Sequence, residues 1–146
     1  MLRDGWFHAA LAAGAVVWLL LYLLYLPQPS WQGLVENAGR LLLLCVVYPV
    51  VEELAFRGWL QGWLRRFAAA RRSLGGVSGA NLLTSLLFVA AHFLYHPPAW
   101  AAAVFVPSLV FGWFRDRYQS VVPGILLHII YNSGYFLLFL TQRLTS

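Results

Sequence analysis

Long apolar runs, each close to the length needed to cross a bilayer, constrain this chain more than any other feature. The candidate segments are Trp6 to Leu26, Val35 to Leu64, Gly79 to Tyr95, Ala99 to Phe114 and Gln119 to Leu140. A helix needs roughly 20 residues to span a hydrocarbon core. With 61% hydrophobic and only 10% charged residues among 146, the chain is far more apolar than one soluble core requires, so lipid is its expected solvent. In lipid every backbone N–H and C=O must be bonded within the segment, which selects helices. The sequence therefore predicts an all-α, polytopic transmembrane bundle of about five helices, forming a single membrane-embedded domain over residues 1–146. The first run is too long and bulky for a cleaved signal core and is expected to be retained.

The separators carry turn chemistry: two prolines between Pro27 and Gly33, three glycines between Arg71 and Gly79, His96 to Pro98, and a short charged break at Arg115 to Tyr118. The net charge of +5 comes from arginine, since lysine is absent. A cytoplasmic N terminus and five spans place Arg3, Arg65, Arg66, Arg71, Arg72, Arg115 and Arg117 on the inside, with Arg40 and Arg143 against the rule. Trp6, Trp31, Trp59, Trp63, Trp100 and Trp113 fall near the expected interfaces. The basic residues thus read as membrane orientation, and nucleic acid is not an expected partner. Arginine as the sole charged cation, with abundant alanine, leucine and glycine, points to a prokaryotic inner membrane. The lone Cys45 reads as a small buried hydrophobe.

The informative residues are the polar ones inside these runs, because a charge at the bilayer centre costs a few kcal/mol. Glu52, Glu53 and Arg57 lie in the second segment, His92 in the third, and His128 with Asn132 in the fifth. Counted from the cytoplasmic end of its helix, each of Glu52, His92 and Asn132 lies thirteen residues in, about 20 Å at the α-helical rise. A polar cavity between the second, third and fifth helices is expected at that level. Glu53 and Arg57, at i and i+4 with the acid first, are spaced for an ion pair. Glu52, rotated about 100°, faces elsewhere. A carboxylate in an apolar cavity is suited to take a proton from water. His128 and Asn132, one turn apart, can aim an imidazole and an amide at one developing oxyanion. Asn81, Ser85 and His92 line one helix face, either as a polar entrance or through helix-packing hydrogen bonds.

Glu52-Glu53-Leu54-Ala55-Phe56-Arg57 matches an EExxxR motif, Phe88 to His92 an FxxxH motif, and His128 to Asn132 an HxxxN motif. In this order on successive helices they resemble the CPBP intramembrane proteases, the family of the CAAX-processing endopeptidase Rce1, and in particular its compact prokaryotic members. The resemblance implies a glutamate-dependent endopeptidase in which Glu52 with His92 activates water and His128 and Asn132 form the oxyanion site. Glu53 and Arg57 would support the geometry. It implies a membrane-anchored protein or peptide as substrate. The chain departs from larger members in having one expected helix before the glutamates.

Rival chemistries are weighed by residue supply. An aspartyl mechanism lacks two buried aspartates, since Asp4 and Asp116 stand at helix ends, and neither a Gly-x-Ser-Gly nor an HExxH sequence occurs. No cofactor is expected, although Glu52, His92 and His128 form a set that zinc can use. His92 and His128 could instead be axial haem ligands. A non-catalytic immunity or transport protein could use the same His/Glu cavity.

Overall fold

The computed structural model describes residue 1 and residues 3–141; Arg143, counted above against the orientation rule, lies outside them. The chain forms two compact units, one of the residues up to Val50 with those from Leu127 onward, the other Val51–Leu126.

Helix α1 runs Gly5–Tyr25, started by the Asp4 carboxylate accepting from the Trp6 N–H at 2.9 Å. After the Pro27 to Pro29 turn, α2 (Trp31–Glu36) and α3 (Ala38–Leu42) follow, α2 being capped by the Ser30 hydroxyl on the Gly33 N–H. The chain then passes through a π-helical stretch, Leu43–Val47, into α4 (Tyr48–Glu53), a second π-helical stretch, Leu54–Leu60, and α5 (Gln61–Leu64). The expected second helix is thus an axis with two widened turns. Pro49 stands just after the first of them, where a missing N–H is absorbed by the changed hydrogen-bonding pattern.

A single turn, α6 (Ala68–Arg71), precedes a two-residue-per-strand antiparallel hairpin of β1 (Ser73–Leu74) and β2 (Val77–Ser78). Helix α7 follows at Gly79–His92, with the Ser78 hydroxyl accepting from the Asn81 N–H. The expected fourth helix is broken in two at Val104, giving α8 (Pro98–Ala103) and α9 (Phe105–Tyr118). Pro107 explains the break, because it cannot donate to the Ala103 carbonyl. The charged stretch at Arg115, expected to be a separator, is instead helical to Tyr118, and Gln119 ends it in a left-handed conformation, φ 51°. Helix α10 (Val122–Phe139) starts three residues later than expected. Asn132 therefore lies ten residues along it, about 15 Å rather than 20.

Among the described residues α1 and α10 are long and apolar enough to cross a membrane. In the first unit the Tyr131 hydroxyl donates to the Ala10 carbonyl at 2.7 Å and the Trp18 indole to the Tyr131 carbonyl at 3.3 Å. Outward, Leu19, Leu23 and Leu24 are more than half exposed. The second unit buries polar groups beside Phe88, Phe111 and Phe114: Glu53, Arg57, Gln61, Asn81, Thr84, Ser85 and Ser108 are fully buried, while Leu82, Leu83, Leu86 and Leu87 face out. Polar groups inward and apolar groups outward is the pattern expected when the solvent is hydrocarbon.

Packing between α7 and α9 depends on Gly112, where an added Cβ would stand 1.9 Å from the Asn81 side-chain oxygen. Asn81 donates to the Leu109 carbonyl at 2.9 Å and accepts from the Ser85 hydroxyl at 3.2 Å. Asn81 and Ser85 are thus helix-packing groups, which excludes them as the polar entrance. Gly112→Val is expected to lower stability by about 1–3 kcal/mol, read as an earlier thermal unfolding transition in detergent, whereas Leu83→Val on the outer face should leave it within about 0.5 kcal/mol.

Candidate active site

The second axis carries polar residues at Glu53, Arg57, Gln61 and Arg65, each four after the last. Arg57 Nη1 pairs with Glu53 Oε1 at 3.1 Å, both side chains essentially inaccessible. Arg57 Nη2 donates to the Ser108 hydroxyl at 2.7 Å and to the Ser108 carbonyl at 3.2 Å. The guanidinium lies 4.5 Å over the Phe88 ring and 5.6 Å from that of Phe111, where ring faces add electrostatic support to a desolvated cation. Gly124 leaves room for the other Glu53 oxygen, since a Cβ there would approach Oε2 to 2.7 Å.

The same pattern continues one turn at a time. Gln61 donates to the Gly112 carbonyl at 3.0 Å and to Asp116 at 2.9 Å, and Arg65 pairs with Asp116, which also accepts from the Ser78 hydroxyl. Arg57, Gln61 and Arg65 thus face Ser108, Gly112 and Asp116, two stripes with the same four-residue step. Sequence reasoning found the Glu53–Arg57 pair but missed Ser108, Gln61 and Asp116. The continuation of the spacing through Gln61 and Arg65 was the signal available; Ser108 carried none.

Glu52, half-buried beside Glu53, acts electrostatically on the same guanidinium. His92, the last residue of α7, bonds through Nδ1 to the Phe88 carbonyl at 2.8 Å and packs on the Phe88 ring at 4.3 Å. A carbonyl can only accept, so Nδ1 carries the proton and Nε2 is the basic nitrogen of the neutral ring. His96 and Trp100 stack beyond it at 5.5 and 6.0 Å. His128, buried, and Asn132, partly buried, stand one turn apart on α10 in the first unit. One Asn132 amide N–H is given to the Leu44 carbonyl at 2.9 Å. Among the described residues no three His, Cys, Asp or Glu side chains are grouped to hold a metal ion.

A polar interior and, among the described residues, two helices long and apolar enough to cross a bilayer are features of the class of membrane-embedded proteins. Residues 33–134 match the family model described as type II CAAX prenyl endopeptidase Rce1-like, well over half of the chain, and the chain belongs to that family. This is a family of membrane-embedded helical proteases, and the match includes the three motifs from Glu52 to Asn132. No curated protein and no solved structure matches the chain.

Removing the cation while leaving the acid buried should be severe. Arg57→Met is expected to destabilise by about 3–5 kcal/mol, and Glu53→Gln combined with Arg57→Met to recover a large part of that loss, as read from a double-mutant cycle of thermal unfolding. Equal losses in the single and double variants would show that the pair is not the source of the effect.

Proposed function

We propose that this chain is a multi-pass, glutamic-type intramembrane endopeptidase, acting as one membrane-embedded protease domain on a membrane-anchored or C-terminally tagged protein or peptide. The observation that carries the reading is the different use of two adjacent carboxylates. Glu53 is fully buried and held by Arg57, whereas Glu52, on the next residue of the same axis, remains half-buried beside it. One acid is sealed from solvent by its ion pair and the other keeps part of its surface accessible, a difference in exposure that supports assigning the proton transfer to Glu52.

In the proposed reaction Glu52 takes a proton from a water molecule while His92, its ring held by the Phe88 carbonyl, orients that water through Nε2. The water oxygen bonds to the scissile carbonyl carbon. The negative charge that develops on the carbonyl oxygen is met by His128 and by the Asn132 amide, which has a second N–H beyond the one given to Leu44. The C–N bond then breaks, and the proton held by Glu52 passes to the departing amine. Water is thereby divided between the new carboxylate and the new amine. Glu53 and Arg57 act as positioning residues, fixing the helix rotation that presents Glu52. This chemistry uses carboxylate and imidazole without a metal. The arginine distribution supports a cytoplasmic N terminus.

Reconstituted protein should cleave membrane-anchored test peptides. Glu52→Gln should lower the rate by about 10²–10⁴-fold, with elution and thermal unfolding unchanged, and a chelator should leave wild-type cleavage intact. Wild-type rates in Glu52→Gln would sink the assignment of the base, and loss of cleavage on chelation would replace it with a metal-assisted one.

A further inference from the structure

The largest concentration of net positive charge on the chain lies away from the candidate site, between α5 and α7. Arg65, Arg66, Arg71 and Arg72 fall within eight residues, and no acidic residue occurs between Glu53 and Asp116. Asp116 is already engaged by Arg65, Gln61 and Ser78. Arg66, Arg71, Arg72 and Arg117 are exposed. Arg117 lies 5.2 Å over the Trp113 ring, and the Gly76 backbone borders the same indole, an added Cβ there standing 3.6 Å from its nitrogen. Hairpin and α9 terminus therefore form one basic surface.

That surface also carries apolar groups in the open. Leu74, at the hairpin tip, is 91% exposed, and Phe67 and Trp63, whose rings meet at 5.2 Å, are about half exposed. The tip is not loose chain: Gly75 and Gly76, with φ of 59° and 84°, close a two-residue turn that pairs Leu74 with Val77. A rigid hairpin holding one leucine outward among guanidinium groups fits the boundary between lipid headgroups and acyl carbons, where phosphate oxygens accept from arginine and the leucine leaves water. An acidic peptide would answer the charges but leave Leu74 and the aromatic pair in water.

We propose that the Ser73–Ser78 hairpin, with Arg66, Arg71, Arg72 and Arg117, is a docking surface for anionic lipid headgroups, with Leu74 inserted among the adjoining acyl carbons. It acts independently of the peptidase chemistry and ties the end of the Glu52–Arg65 axis to the lipid surface. The attraction is electrostatic and salt-dependent, roughly fivefold in partitioning per arginine near an anionic surface.

The test uses the full chain in nanodiscs of phosphatidylcholine alone or mixed with phosphatidylglycerol. An environment-sensitive fluorophore is attached to Leu74→Cys in a Cys45→Ala background. Emission should shift to the blue only in the anionic discs and return on adding salt. Arg66→Gln with Arg71→Gln and Arg72→Gln should lose most of the shift, while the three Arg→Lys changes, which preserve charge, should keep it. If the glutamine variant fails to fold, the lysine variant and the salt titration still decide. Identical emission in both discs, insensitivity to salt, or a shift produced only by an added acidic peptide would overturn the proposal.

Discussion

Arg57 is the residue around which the second unit is organised. A guanidinium with about 1% of its side chain accessible must be met by acceptors inside the protein, since hydrocarbon offers none. Glu53 supplies the charge, Ser108 two oxygens, and Phe88 and Phe111 their ring faces. Those partners come from the Glu52–Arg65 axis, from α7 and from α9. One buried cation thus sets the approach of three elements, and Phe88, which lies under it, also positions His92 through its carbonyl. The support of the candidate base and the support of the candidate imidazole meet at one aromatic residue.

The polar stripes extend this logic along the axis. In water, such rows of Ser, Asn, Gln and Arg would be a solvated face. Here they are the core, because between helices in lipid an unsatisfied polar atom has nowhere else to go. Gly112 serves the same purpose by absence: without a side chain it lets Asn81 reach the Leu109 carbonyl.

Much of this was legible in the sequence, for identifiable reasons. Apolar runs declare helices in lipid, and Glu53 with Arg57 declares a pair through its spacing and order. Pro107 accounts for the break at Val104, though reading it requires knowing that the missing bond is not repaired by a neighbour. Ser108 was invisible, because a serine within an apolar run has no signature until the arginine opposite is placed. Asn132 shows a different limit: an amide offers two N–H groups, and the sequence could not say that one is given to Leu44. The late start of α10 shows why equal counting from expected helix ends misplaces a residue by a turn.

The widened turns at Leu43–Val47 and Leu54–Leu60 carry a consequence for how this segment can vary. In each, a backbone carbonyl is taken by a side chain from another helix, Leu44 by Asn132 and Arg57 by Arg115. A π turn amounts to one residue inserted into an α-helix. Excising that residue would restore regular winding and at the same time swing everything beyond it by about 100°. The segment is therefore intolerant of changes in length at these two places in a way it need not be of changes in composition. A single-codon deletion within Leu43–Val47 would rotate the downstream carboxylates away from their present partners while leaving every motif letter intact.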